Sequence, residues 1–161
     1  MKAAIVTVSD KGSQGLREDV SGPALKEFLE NQGVEICQMD IVPDELDEIF
    51  NVLKDLAVMG GVDLILTTGG TGVSPRDVTP DATQRVVDRE LPGFAERMRF
   101  ESLRKTPHAI ISRAVVGIKG ETLIINLPGS PKGALENLES VWLAVPHAVR
   151  KIKGDLSDCA Q

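Results

Sequence analysis

The feature of this sequence that most constrains its fold is the alternation of short, continuous apolar runs with longer segments of helical periodicity. The first run, from Ala3 to Val8, is unbroken and largely β-branched, which is typical of a strand covered on both faces in a parallel sheet. Runs at 34–42 and 63–68 repeat the pattern, and a segment with helical spacing of apolar residues follows each. This order predicts an α/β protein with right-handed crossovers and helices on both faces of the sheet.

The second half of the chain departs from this alternation. A weaker helical pattern runs from Leu91 to His108, with Met98 and Phe100 as candidate buried residues. Two strand-like segments, 114–119 and 121–127, follow each other closely enough to form a hairpin. We therefore predict a three-layer α/β/α sandwich whose mostly parallel sheet contains one antiparallel hairpin strand.

The length and composition fit one globular domain. A chain of 161 residues leaves little room for a second domain. Its 42% hydrophobic and 26% charged residues are too apolar a mixture for a disordered protein. No linker or repeat divides the sequence, so we expect a single domain over residues 1–153 and a C-terminal tail over 154–161.

Charge and aromatic content disfavour several classes of partner. The net charge of −6 argues against a general nucleic-acid binder or a polybasic membrane-surface protein, and the 3% aromatic content disfavours base stacking. The two cysteines, Cys37 and Cys159, form no disulfide framework. The first apolar run is too short to cross a membrane. We expect a cytoplasmic protein that binds neither nucleic acid nor a membrane.

Three loops with unusual composition each follow a predicted strand. They are Ser9–Gly22, Gly69–Thr79 and Pro128–Gly133. In an open α/β sheet, ligands bind outside the carboxyl ends of the strands. The three loops are therefore predicted to open on the same edge of the sheet and to form a ligand site there.

The glycine-rich segment from Thr67 to Pro80 carries the strongest functional signal. Gly69, Gly70 and Gly72 permit positive φ and close approach to a ligand, and successive N–H groups in such a loop can hold phosphate oxygens. The segment is neither a Walker A sequence nor GxGxxG. The alternative is a glycine turn that only joins a strand to a helix.

Charged residues in and near this segment suggest a metal and phosphate site. Arg76 is a candidate phosphate clamp, and Asp77 is a candidate ligand of a divalent cation that bridges phosphates. A surface ion pair or a helix cap would equally explain them. Asp44 follows the second strand where an N-cap belongs, and local sequence favours that role. If the second and third strands lie close in the sheet, however, their carboxyl ends would bring Asp44 and Asp77 to one metal.

The other two loops also have both functional and structural explanations. Ser130 and Lys132 lie at a predicted helix start, where the dipole and free amides favour an anion, although a simple cap followed by proline explains the same residues. In the first loop, capping alone accounts for Ser21. The basic residues in 97–119 are either solvated or form a face that attracts an anion. Oxygen ligands and anion-binding loops together suit phosphoryl or nucleotidyl transfer with Mg²⁺.

These motifs also resemble a known family. LTTGGTGVSPRDVTPDA at 66–82 and LPGSPKG at 127–133, with VSD at 8–10, DVSG at 19–22 and PDE at 43–45, resemble the molybdenum cofactor biosynthesis family, which includes the bacterial molybdopterin adenylyltransferases. Lys11 stands where many members have arginine. The resemblance runs from residue 3 to about residue 150 and implies a molybdopterin-binding domain of α/β/α fold.

The resemblance implies a homotrimer that transfers AMP from ATP to molybdopterin and releases pyrophosphate, with other cofactor-biosynthesis proteins as further partners. It implies Asp44 and Asp77 as catalytic and Mg²⁺-binding residues. The substrate-binding residues that it implies are Ser9, Asp10, Asp19, Ser21, Gly22, Thr68, Gly69, Gly70, Thr71, Gly72, Ser74, Arg76, Thr79, Pro128, Gly129, Ser130 and Lys132. Two alternatives stay open at this point: a non-catalytic molybdopterin carrier of the same family, and a nucleotide pyrophosphatase like the related domain of competence-damage proteins.

Overall fold

The structure, a computed structural model, describes residues 1–156 and is built around a six-stranded sheet. Its strands, numbered along the chain, are β1 (Lys2–Val8), β2 (Glu35–Val42), β3 (Leu64–Thr68), β4 (Arg89–Glu90), β5 (Val116–Lys119) and β6 (Thr122–Leu127). Their order across the sheet is β2-β1-β3-β6-β5-β4. Neighbours from β2 to β6 are parallel, whereas β5 runs antiparallel to β6 and to β4. The predicted mostly parallel sheet with an antiparallel hairpin is confirmed.

The helices lie on both faces of this sheet. They are α1 (Asp10–Ser13), α2 (Ser21–Asn31), α3 (Leu46–Val58), α4 (Thr79–Val86), α5 (Pro92–Leu103), α6 (Pro131–Val141) and α7 (Val145–Ile152), with 3₁₀ helices at Pro107–Ile111 and Trp142–Ala144. The cores show that α3 and α4 cover one face, and α2, α5, α6 and α7 cover the other. The three-layer α/β/α prediction is therefore confirmed.

The pleat of the central strands divides the core into two clusters. Along β1, Ala3 and Ile5 face the larger helical layer, and Ala4 and Val6 face α3 and α4. The same alternation continues in β3 and β6, where Ile65 and Ile124 belong to the α3–α4 side. Because side chains alternate with a period of two residues, an unbroken apolar run fills both cores at once.

Some local predictions were wrong. The loop after β1 contains the short helix α1, and the edge strand β4 was not predicted because two exposed polar residues carry no strand pattern. Phe100, predicted to be buried, is 59% exposed, whereas Met98 is buried. The cause is that the apolar residues of α5 are spread around the helix instead of along one stripe.

An aspartate stabilises the amino edge of the sheet. Asp63, just before β3, is buried and accepts a hydrogen bond from the Lys2 backbone N–H at 2.7 Å. It also forms an ion pair with Lys153. Burial raises the pKa of Asp63, but the bonds from Lys153 and Lys2 outweigh burial, so its pKa lies below the usual value. The start of β1, the start of β3 and the end of α7 are thereby tied together.

Cys37 is exposed, with a free thiol. Cys159 and the predicted tail from residue 157 onward lie outside the described residues. Among residues 1–156, no helix is long and apolar enough to cross a membrane.

Candidate active site

The three predicted loops meet at the carboxyl edge of the sheet, as the sequence indicated. They surround a pocket of about 520 Å³. Nine of the predicted site residues line this pocket: Ser9, Asp19, Ser21, Asp44, Thr68, Gly69, Gly70, Gly129 and Ser130. The pocket is thus formed by segments that are far apart in the sequence and brought together by the strand order.

The first and third loops are joined by Ser21. Its hydroxyl donates to the Gly129 carbonyl at 2.8 Å, so the prediction that Ser21 caps α2 was wrong. The carboxylate of Asp19 takes that role instead, because it accepts the N–H groups of Ser21 and Gly22 at 3.0 Å. Asp19 also accepts the Thr7 hydroxyl at 2.7 Å, which fixes the start of α2 to β1.

The glycine turn after β3 needs glycine at two positions. Gly69 has φ 109° and Gly70 has φ 62°, a left-handed region that other residues rarely adopt. A Cβ at Gly69 would collide with the Val8 carbonyl, and one at Gly70 would collide with the Thr79 hydroxyl. Gly72 does not have a positive φ, contrary to the prediction; its missing side chain leaves room for the carboxylate of Asp77, 2.8 Å from where a Cβ would lie.

Hydrogen bonds to neighbouring segments hold the glycine turn. The Gly69 N–H donates to the Leu127 carbonyl at 3.1 Å, and the Thr68 hydroxyl donates to the Pro128 carbonyl at 2.7 Å. The Thr79 hydroxyl donates to the Gly69 carbonyl at 2.9 Å. Thr68 and Thr79, both predicted to bind substrate, therefore fix the second loop to the third loop and to α4. The amide of Gly69 is likewise used within the protein.

A buried asparagine links the strand before the glycine turn to the helix after it. Asn126 on β6 donates to the hydroxyls of Thr67 at 3.0 Å and Thr83 at 2.9 Å, and it accepts the Val115 N–H at 3.1 Å. All of its polar atoms therefore have partners within the apolar interior, which fixes α4 relative to the sheet.

Asp44 does not cap α3, although local sequence favoured that role. The N-cap of α3 is Glu45, without a side-chain cap. The Asp44 carboxylate instead accepts the Asp10 N–H at 2.8 Å, and the Asp10 carboxylate accepts the Asp44 N–H at 3.0 Å. Since β1 and β2 are adjacent and parallel, their carboxyl ends bring these residues together.

Strands β2 and β3 are not neighbours, contrary to the condition stated for Asp44 and Asp77, because β1 lies between them. Both carboxylates nevertheless pack against glycines of the turn after β3. The Asp44 Oδ1 lies 3.1 Å from where a Cβ of Gly70 would be, and Asp77 packs in the same way against Gly72. Burial raises the pKa of Asp44, and the charges of Asp10 and Asp77 also raise it, whereas the bond from the Asp10 N–H and the charge of Arg76 lower it; the net shift is upward. Asp77 accepts the Ser74 N–H at 2.7 Å. The two carboxylates therefore lie against the same turn, and the charge of Asp77 acts on Asp44.

The side chain of Arg76 extends from the glycine-rich loop to Asp10, at the start of α1, and to Glu45, just before α3. Its guanidinium donates to both oxygens of Asp10, at 3.1 and 2.8 Å, and to Glu45 at 2.7 Å. This bond to Arg76 is the main reason why the pKa of Asp10 lies below its usual value. In this arrangement Arg76 neutralises Asp10 and Glu45, and its side chain is 51% exposed.

The third loop has the geometry of a capped helix start, as the structural alternative predicted. The Ser130 hydroxyl is the N-cap of α6 and accepts the Gly133 N–H at 3.2 Å. Lys132 is exposed at this helix start. Because Gly129 and Ser130 also line the pocket, the amino end of α6 points its positive dipole towards that edge.

A second cavity, of about 300 Å³, lies on the other side of the glycine turn. Thr71, Gly72, Pro128 and Ser130 contribute to its wall, with residues from α5, the 3₁₀ helix at 107–111 and α6. The basic residues of 97–119 do not form an open anion-binding face here. Arg99 donates to the Ser112 and Ala114 carbonyls, and the others pair with acids of the protein itself, as in Arg97–Glu101, Lys105–Glu136, Arg113–Asp81 and Lys119–Asp88.

Sequence reasoning missed several residues of the first pocket. Thr7, Val8, Gly12, Arg17, Glu18, Val20 and Pro131 also line it. All seven lie in or next to the first and third predicted loops, Ser9–Gly22 and Pro128–Gly133, so their position in the sequence indicated the pocket. Their residue types gave no further indication of a role in it. Within residues 1–156, no three His, Cys, Asp or Glu side chains cluster to hold a metal ion. A cation beside Asp44 and Asp77 would thus take its other ligands from substrate and water.

The fold and the pocket define an α/β protein with a pocket at the carboxyl edge of its sheet. Comparison with known proteins identifies its family. The sequence profile of the family described as "probable molybdopterin binding domain" matches residues 4–147. The chain belongs to this family, which confirms the resemblance seen in the motifs.

Individual relatives agree with this assignment. The chain is 44% identical over 168 residues to a molybdopterin adenylyltransferase of Haemophilus influenzae, covering 96% of this chain and 85% of that protein. It is 39% identical over 174 residues to the molybdopterin adenylyltransferase of Escherichia coli K12, covering 99% and 89%. Among solved structures, the molybdopterin biosynthesis enzyme MoaB of Thermus thermophilus matches with a TM-score of 0.90 and 51% identity, covering 96% and 97%.

Proposed function

We propose that this protein is a molybdopterin adenylyltransferase, which transfers AMP from ATP to the terminal phosphate of molybdopterin and releases pyrophosphate. The observation that carries the proposal is the meeting of Asp44 and Asp77 on one glycine turn beside a pocket built from three loops. The activity named for the relatives from H. influenzae and E. coli supports it.

The reaction fits a site without a protein nucleophile. The terminal phosphate of molybdopterin is anionic at neutral pH and attacks the α-phosphorus of ATP. The bond from that phosphorus to the bridging oxygen of the β-phosphate breaks, and pyrophosphate leaves with the electron pair. The protein has to position two anions that repel each other and to stabilise the charge of the transition state.

The residues at the site fit Mg²⁺. Asp44 and Asp77 would hold the ion, which when bound would neutralise phosphate charge. Among residues 1–156, no basic side chain bonds to the half-buried carboxylate of Asp44, and no third acidic, histidine or cysteine ligand joins the pair. Mg²⁺ typically takes one or two carboxylates and completes its shell with water and substrate phosphates.

The other predicted site residues have two kinds of role in this proposal. The substrates bind at Gly69, Gly70 and Thr71 and at the start of α6 with Ser130 and Lys132. The other role is structural: hydrogen bonds from Ser21, Thr68 and Thr79 hold the loops together. Two cavities of about 520 and 300 Å³ flank the glycine turn, which suits an enzyme that brings two substrates together.

The proposal includes assembly as a homotrimer in the cytoplasm, where other cofactor-biosynthesis proteins would be its partners. An apolar groove between the start of α5 and the 3₁₀ helix at 142–144 supports self-association, because its wall includes Phe94 and Leu143 and Leu143 is 95% exposed. Light scattering on the purified protein would measure a mass near three times 17.3 kDa if the proposal is right.

A single assay separates the proposed activity from its alternatives. The protein is incubated with ATP, Mg²⁺ and molybdopterin, and pyrophosphate and AMP are measured. Pyrophosphate that requires molybdopterin supports adenylyl transfer. Molybdopterin binding without pyrophosphate indicates a carrier, and free AMP formed without molybdopterin indicates a pyrophosphatase. Either of the last two results contradicts the proposal.

A further inference from the structure

The side chain of Arg113, between the 3₁₀ helix at 107–111 and β5, faces the glycine-rich loop. Its Nε donates to the Gly72 carbonyl at 2.9 Å, and its Nη2 donates to the Asp77 carbonyl. The same guanidinium bonds to both carboxylate oxygens of Asp81, at 3.3 and 2.9 Å. The Arg113 backbone N–H also donates to the Thr71 carbonyl at 2.9 Å.

These bonds join the two ends of an exposed turn. Residues 73–76 between the two carbonyls are exposed, and the turn's own hydrogen bonds are short-range, from Asp77 N–H to Ser74 and from Val78 N–H to Arg76. A planar guanidinium offers five donors in a fixed fork, so its bonds at Gly72 and Asp77 fix the spacing of those two residues.

The turn fixed in this way carries Asp77. The Asp77 carbonyl is held by Arg113, and its carboxylate is held by the Ser74 N–H and packs against Gly72. Arg113 therefore fixes the backbone at both ends of the turn, at Gly72 and at Asp77 itself. Four bonds from the guanidinium go to protein acceptors, so its donors are largely used and not available to an anionic ligand.

We propose that Arg113 is a positioning residue, which fixes the turn at Gly72–Asp77 so that Asp77 is held beside Asp44 for the transfer reaction. The inference rests on the proposed function, because Asp77 takes its catalytic role from it. Arg113 does not touch the reacting atoms. Its effect is on the geometry of the turn, and a lysine, which lacks the planar fork, does not replace it.

The test compares four variants of the full chain. Arg113→Gln removes the fork and the charge, and Arg113→Lys removes only the fork. Asp81→Asn removes the ion pair but leaves the bonds to Gly72 and Asp77. Lys119→Gln is the matched control, because it removes a cation paired with Asp88 at 2.8 Å at the other end of β5.

Two measurements are made on each variant. Hydrogen–deuterium exchange followed by mass spectrometry reports on the amides of residues 72–78, and pyrophosphate release gives kcat and KM for ATP. We expect both Arg113 variants to exchange about tenfold faster in this segment, as the loss of two hydrogen bonds implies. We expect kcat to fall about 10- to 100-fold with KM little changed, since misplacing a catalytic group lowers the rate of the chemical step.

Asp81→Asn and Lys119→Gln are expected to resemble the wild type in both measurements. The proposal is overturned if Arg113→Lys resembles the wild type, or if Asp81→Asn has the same effect as Arg113→Gln. It is also overturned if kcat falls without faster exchange, because Arg113 would then act on the substrate. If the wild type releases no pyrophosphate, the proposed function fails, and the exchange measurement alone decides whether Arg113 fixes the turn.

Discussion

Each of the two edges of the sheet holds a partly or fully buried aspartate, but the two carboxylates have different partners and opposite pKa shifts. At the amino edge, Asp63 is buried and bonded to Lys153 and the Lys2 N–H, and these bonds keep its pKa low. At the carboxyl edge, Asp44 accepts only the Asp10 N–H among the described contacts, and burial raises its pKa.

Under the proposed function, this difference separates a structural carboxylate, Asp63, from a functional one, Asp44. A buried charge is costly unless a partner compensates it, and Lys153 supplies that partner for Asp63. For Asp44 the nearby charges of Asp10 and Asp77 add repulsion, which the charge of Arg76 offsets only in part, so that its pKa stays raised. Arg76 bonds to Asp10 and Glu45 but not to Asp44. A half-buried carboxylate without a bonded cation of its own is suited to receive a cation from outside.

The largest expected effect is on catalysis at the carboxyl edge. Asp77→Asn keeps the shape of the side chain but removes its charge, so we expect the rate of pyrophosphate release to fall about 10²- to 10³-fold, as when a preorganised transition-state contact is lost. Molybdopterin binding, measured by fluorescence or calorimetry, should survive.

Asp63→Asn is the control for this experiment because it makes the same chemical change at the other edge. Its rate of pyrophosphate release should match that of the wild type. An unchanged rate in Asp77→Asn would remove Asp77 from the mechanism.

The next effect concerns the glycine turn. Gly69→Ala should lower the free energy of unfolding by about 2–3 kcal/mol, because alanine is strained at φ 109° and its Cβ would collide with the Val8 carbonyl. Gly120→Ala is the matched comparison. Gly120 also has a positive φ, 56°, but no atom lies within 4 Å of an added Cβ, so its cost should be about 1 kcal/mol. Urea denaturation measures both values, and equal costs would show that the turn is not closely packed against β1.

A smaller effect is expected for stability at the amino edge. Asp63→Asn removes a charge-assisted bond, so we expect a loss of about 1 kcal/mol at pH 7. A carboxyl whose folded pKa lies below its usual value of 3.8 stabilises the fold above that pH, and this contribution is lost as the pH falls through the folded pKa. The difference between wild type and variant should therefore be constant from about pH 5 to 7 and shrink below about pH 4. A difference independent of pH would contradict the assigned ion pair.

The smallest effect has the opposite sign. In the absence of metal, Asp44→Asn should leave stability unchanged or raise it by up to about 1 kcal/mol at pH 7, because the folded state raises the pKa of Asp44 and so disfavours its charged form. The gain should disappear as the pH falls through that raised pKa, since wild-type Asp44 is then neutral as well. Urea denaturation at several pH values checks this, and a clear loss of stability at pH 7 would mean that Asp44 is compensated like Asp63.

The fold was predictable because its main signal is local. Each apolar run fills one strand and each helical segment covers one face, so the run at Ala3–Val8 already indicated the sheet. The meeting of the loops followed from the rule that parallel strands end at the same edge. The short strand β4 and the exposure of Phe100 were not predictable, since both depend on the neighbours that pack against them.

The details of the site were less predictable for the same reason. Capping rules assigned Ser21 and Asp44 to the helices beside them, yet their partners, Gly129 and Asp10, lie 108 and 34 residues away. Arg113 was seen only as part of a basic stretch, because its acceptors at Gly72 and Asp77 lie 41 and 36 residues away. Spacing alone indicates which loops meet, and the structure shows which atoms bond.

The central claim is that the carboxyl edge, and not the amino edge, receives the phosphates and their cation. A crystal structure determined after soaking with ATP, Mg²⁺ and molybdopterin tests it most directly. The account predicts nucleotide phosphates over Gly69 and Gly70, with a cation between their oxygens and the carboxylates of Asp44 and Asp77. Phosphates bound elsewhere, or a cation that contacts neither aspartate, would contradict it.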